Sequence, residues 1–61
     1  MDTQTALQKI DELTKMYSET SNRMALTSLR QLVTKVKKQN PLLTRRIEEI
    51  FEKHQLSMST L

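Results

Sequence analysis

Residues 23 to 41 read RMALTSLRQLVTKVKKQNP, and this stretch decides the fold. Ala25, Leu26, Leu29, Leu32, Val33 and Val36 fall within an arc of about 120° when wound at 3.6 residues per turn, the width of a helix face that packs on a core. Asn40-Pro41 then ends the segment for a physical reason. The residue before proline is pushed out of the α region, and proline at a first helical position lacks only an N–H that would be unpaired anyway. Asn40 is therefore expected as a cap and Pro41 as the first residue of a further helix. A kinked continuous helix is the alternative; it would lose the bond to the Lys37 carbonyl.

Outward from this stretch, two more amphipathic segments appear. On the N-terminal side Ala6, Leu7, Ile10, Leu13 and Tyr17 share one face, with Thr3 expected as the cap and Asp2 beside the positive end of the helix dipole. Ser18 to Arg23 interrupts the apolar rhythm with residues that favour caps and turns, and Ser21 or Asn22 is expected to cap the second helix. On the C-terminal side Leu43, Ile47, Ile50, Phe51 and His54 share a face, and Glu49 and Lys53 form a well-oriented i,i+4 pair.

The 61 residues contain no Gly and one Pro, so positive φ has no cheap host and hairpins or long loops have few openings. The sequence thus predicts an all-α fold: a small bundle of three helices over about 3–18, 22–39 and 41–55, or a helical hairpin with a Pro-kinked second arm. Residues 1–56 are expected to form a single helical domain and 57–61 a frayed tail. Fifteen apolar residues make a thin core, with no Cys to staple it, so a homo-oligomer or a stabilising partner is expected.

Charge and composition exclude most kinds of chemistry. His54 is the sole histidine, no Cys accompanies it, and it sits among apolar positions, which reads as a partly buried or interfacial residue. Glu48, Glu49 and Glu52 read as a solvated face rather than a metal site, and without Gly there is no phosphate-binding loop. No catalytic, cofactor-binding or metal-ligating residue is assigned, and an enzyme is not expected. The longest apolar run, Met24-Ala25-Leu26, is far short of a membrane span or a signal segment, so a cytoplasmic protein without a membrane partner is expected.

Three sets of residues remain as candidates for binding. Arg23, Arg30 and Lys37 recur every seven residues, drift only about 20° per step and form a basic ridge about 21 Å long, which reads either as a solvated flank covering the core edge or as a docking ridge for an acidic helix or a phosphate backbone. Met16, Met24 and Leu56 lie off their apolar stripes and, in an up-down-up bundle, come to one end as an exposed apolar patch; Leu42 is likewise off its stripe. Lys35, Lys37, Lys38, Arg45 and Arg46 gather near the junction of helices two and three, a footprint for phosphates. Residues 30–61 carry a net +4, against −1 for residues 1–29. A helix-turn-helix with Thr44, Arg45 and Arg46 opening a recognition helix is conceivable, but the turn lacks Gly and the preceding helix is long for that motif. The leading reading is a non-enzymatic protein-binding adaptor, chaperone or regulator; the runner-up is a nucleic-acid-binding regulator.

Overall fold

The computed structural model describes residues 2–56. They form α1 (Thr3–Thr20), α2 (Arg23–Gln39), a 3-10 turn (Pro41–Leu43) and α3 (Thr44–Lys53), with no strand among the described residues. Helices two and three are thus separate, and the kinked-arm alternative is set aside. The tail expected at 57–61 lies outside the described residues.

Each helix end has a local cause. Asp2, extended at φ −77° and ψ 167°, is the cap of α1 rather than Thr3, because its carboxylate accepts the Thr5 backbone N–H at 2.8 Å. That hydrogen bond holds the Asp2 carboxyl below its ordinary value. The helix runs two residues past the expected Ser18. Thr20 Oγ1 donates back to the Met16 carbonyl at 2.7 Å, so the polar run is absorbed into the last turn.

The chain leaves α1 at Ser21, which takes a left-handed φ of 54° and donates its N–H to the Tyr17 carbonyl at 2.8 Å. Asn22 follows and caps α2 by accepting the Met24 N–H at 2.9 Å. A link of two residues forces α1 and α2 antiparallel. Glycine-free sequence was expected to disfavour positive φ, yet Ser21 and Gln55 both adopt it, the latter at 61°. The strain, about 1–2 kcal/mol per residue, is offset by the helix carbonyls these positions satisfy.

Asn40 ends α2 and opens the next element. Its N–H donates to the Val36 carbonyl at 2.8 Å, and its Oδ1 accepts the Leu42 N–H at 3.3 Å. Pro41 is the first helical residue, as its chemistry dictates, but the turn it opens is 3-10, and α-geometry begins only at Thr44. At the far end of α3 the His54 N–H is shared between the Ile50 and Phe51 carbonyls, and two further bonds close the turn. Gln55 N–H donates to the Glu52 carbonyl at 3.0 Å, and Leu56 N–H reaches back to Phe51 at 2.8 Å. This pairing brings the residue after the left-handed position onto the last apolar turn. Leu56 accordingly packs against the core. Its expected exposure is corrected: the cap turns it inward.

The core joins all three helices. Ala6, Ile10, Ala25, Leu29, Val33, Val36, Ile47 and Phe51 are buried, with Leu7, Leu13, Leu32, Leu43 and Ile50 packed around them. Tyr17 and Leu26 are half-buried, so none of the fifteen expected core residues is exposed. The buried residue that hydropathy passes over is Thr14. It sits one turn after Ile10, on the same face, and its Oγ1 donates to the Ile10 carbonyl at 2.6 Å, which satisfies the hydroxyl inside the core. α1 lies along α2, α3 packs chiefly on α1, and the 3-10 turn rests on α2.

Candidate functional site

Three surfaces follow from this packing. The first lies where the end of α1 meets the start of α2. Its open groove is lined by Tyr17, Ser21, Arg23, Leu26, Thr27 and Arg30. The half-buried ring of Tyr17 and the Leu26 side chain supply apolar lining, while Arg23 and Arg30 are exposed one helical repeat apart. Thr27 Oγ1 is turned to the Arg23 carbonyl at 3.1 Å. Two members of the expected ridge therefore share one groove. The third, Lys37, is half-buried and does not line it. Met16 and Met24 are exposed on either side of the Ser21-Asn22 link, at 46% and 78% of their full accessibility. With Leu56 folded inward, the expected three-residue patch is reduced to these two methionines. Leu42, 88% exposed, stands apart on the 3-10 turn.

The second surface is the outward face of α2, where Arg30, Gln31, Thr34, Lys35 and Lys38 line a shallow groove and all five are exposed. α2 carries five cations, Arg23, Arg30, Lys35, Lys37 and Lys38, and no carboxylate. None of the five is in an ion pair among the described residues, where the only ion pairs involve Asp11.

The third is a groove of about 380 Å³ between α1 and α3, lined by Gln4, Leu7, Gln8, Asp11, Arg46, Glu49, Ile50 and Lys53. Arg46 therefore shares a groove with two carboxylates, Asp11 and Glu49, whereas Lys35 and Lys38 belong to another surface. Arg45 is exposed and lines none of these three grooves. The phosphate footprint expected at the helix junction is thus divided between faces.

Beside this third groove, the end of α3 is tied to α1. His54 Nε2 donates to Asp11 Oδ1 at 2.5 Å, Lys53 Nζ lies 3.6 Å from Asp11 Oδ2, and Ser18 Oγ donates to the His54 carbonyl at 3.1 Å. The hydrogen bond from His54 is the main cause holding the Asp11 carboxyl below its ordinary value of 3.8; partial desolvation opposes it and the Lys53 charge adds to it. The His54 imidazole serves as a strut between α1 and α3. Asp11 lies half-buried at the edge of the apolar face of α1, and the charge pattern of α1 alone does not reveal that α3 ends against it.

Comparison of the chain with protein-family models, with curated proteins and with solved structures finds no match.

Proposed function

We propose that this chain is a non-enzymatic protein-binding module, an adaptor, chaperone or regulator, that receives an acidic partner segment in the groove between α1 and α2. The observation that supports this most is the combination of Tyr17 and Leu26 with Arg23 and Arg30 in one open groove, at the end of the molecule where Met16 and Met24 are also exposed. Protein interfaces favour such a mixture, an apolar centre for burial and arginines for carboxylates at the rim. Methionine beside it adapts to varied apolar side chains. Self-association belongs to the same reading, because nine buried residues make a slender core for the described chain. A cytoplasmic setting suits a chain without cysteine, which needs no oxidising compartment.

The deciding experiment is affinity capture with and without nuclease, comparing the native chain with Arg23→Glu and Arg30→Glu. Capture of a defined protein that survives nuclease and is lost on either charge reversal is the expected result. Capture that vanishes with nuclease would refute the reading. Circular dichroism melts over a wide dilution series test self-association, for which the midpoint must fall on dilution.

The runner-up, nucleic-acid recognition by Lys35, Lys37, Lys38, Arg45 and Arg46 as one footprint, has less support. Arg46 shares its groove with Asp11 and Glu49, and Lys37 is half-buried against the edge of the core.

A further inference from the structure

We infer that the outward face of α2, centred on Arg30, Lys35 and Lys38, is a second binding surface and that its ligand is the phosphate backbone of duplex DNA. This face is distinct from the α1–α2 groove proposed for a protein partner, although Arg30 stands at the border of both.

The charge pattern comes first. A 17-residue helix with five cations and no acid is unusual in a chain that holds seven carboxylates elsewhere. Lys37 and Lys38 lie in the last turn of α2, where the helix dipole favours cations, but that role does not reach Arg30 or Lys35. No cation of α2 is in an ion pair among the described residues, and Arg30, Lys35 and Lys38 are exposed rather than lying along the core edge. Like charges crowded on one helix repel one another, so the arrangement is mildly unfavourable until a polyanion neutralises it.

The residues between the cations narrow the choice of polyanion. Gln31 and Thr34 complete the groove, an amide and a hydroxyl, both of which donate hydrogen bonds to phosphate oxygens. A protein partner would find no apolar residue here to bury against, only the aliphatic stems of Arg30, Gln31, Lys35 and Lys38, whose charged ends stay at the rim. A membrane surface would need several apolar side chains to insert, and Met24 is the sole apolar residue on the outward side of α2. Duplex DNA requires neither. From Arg30 to Lys38 the helix rises about 12 Å, a length over which a duplex presents several phosphates. No base-reading aromatic or glycine loop is needed for such a contact, and the binding is sequence-tolerant.

The test is fluorescence anisotropy of a short mixed-sequence DNA duplex titrated with the full chain at several salt concentrations. Three phosphate contacts require the affinity to fall about fortyfold between 50 and 200 mM salt. The double variant Lys35→Gln/Lys38→Gln, which preserves helix propensity and is checked for helicity by circular dichroism, leaves one contact and a fall of only about three- to fourfold. Arg45→Gln/Arg46→Gln is expected to leave the salt slope of the native chain, and so is Arg23→Gln, which belongs to the α1–α2 groove alone. The inference is overturned if the native slope is shallow, if the Lys35/Lys38 variant keeps the native slope, or if the Arg45/Arg46 variant loses it. Tighter binding of a polyglutamate peptide than of DNA would overturn it in favour of an acidic protein. The protein-binding proposal is judged separately by Arg23→Glu in nuclease-treated capture, so either reading fails without the other.

Discussion

In α2 five cations stand without a carboxylate on the same helix or an ion pair among the described residues; in α3 Lys53 reaches Asp11 at 3.6 Å and Arg46 shares a groove with Asp11 and Glu49. The two helices also differ in what holds them. α2 is anchored by four buried apolar residues, Ala25, Leu29, Val33 and Val36, whereas the shorter α3 buries Ile47 and Phe51 and adds polar ties at its end. A helix with a full apolar stripe leaves its charges free for partners. One with a short stripe uses charge and capping to stay docked. The comparison separates residues whose loss damages the fold from exposed residues whose loss leaves it intact.

The largest effect that sharpens this comparison lies across α2. Leu29 is fully buried, and Leu29→Asp places an unpaired carboxylate in the core at a cost of several kcal/mol, about the whole stability of a domain this small. Lys35→Glu on the exposed side is expected to change stability by no more than about 0.5 kcal/mol. Chemical denaturation of the two variants gives the readout. Similar losses for both would mean that the cations of α2 support the fold after all.

The same contrast explains what was legible in the sequence. Apolar periodicity is a property of one helix at a time, and it placed three helices and their buried faces well, from Ala6 to Phe51. Proline chemistry placed the α2 boundary at Asn40. What escaped were features set by a second element or by hydrogen bonding that hydropathy does not record. Thr14 is polar by composition and buried because Ile10 accepts its hydroxyl proton. Leu56 follows the last apolar turn out of rhythm, and only the left-handed Gln55 directs it to the core. Asp11 and His54 stand 43 positions apart, and their pairing depends on how α3 crosses α1. Of the candidate surfaces, the seven-residue spacing of Arg23 and Arg30 was visible early. The separation of Arg46 from Lys35 and Lys38 depends on helix packing and was not.

The next effect lies at the end of α3. Leu56→Ala removes a half-buried side chain that caps the core beside Phe51, and a loss of about 1–2 kcal/mol is expected. Gln55→Gly acts in the opposite direction. It relieves a left-handed side-chain clash at φ 61° and is expected to raise stability by about 0.5–1 kcal/mol, despite the greater freedom of glycine in the unfolded chain. Thermal melts of both variants test whether this cap is the device that keeps α3 docked. If Leu56→Ala is silent, the inward turn of Leu56 contributes nothing, and the contrast with α2 weakens.

The smallest effect, and the most specific, concerns Asp11. Its carboxyl is held below the ordinary value of 3.8, chiefly by the hydrogen bond from His54 and further by Lys53, while Arg46 and Glu49 face the same groove from α3. A carboxyl with a depressed folded pKa contributes stability that is fully present above its unfolded value and is lost as pH falls through the folded one. The contribution is therefore intact at neutral pH and is lost progressively as pH falls below 3.8 and through the lower folded value. Because the side chain is about a third exposed, its size is that of a surface pair, about 0.5 kcal/mol. Asp11→Asn removes the charge while retaining a carbonyl that accepts from His54. Urea denaturation of the native chain and Asp11→Asn should differ by that amount at pH 7, and the difference should shrink progressively as the pH is lowered below 3.8. A difference that does not shrink on acidification would mean that Asp11 acts through packing, not charge, and that α3 is held to α1 by shape alone, as α2 is.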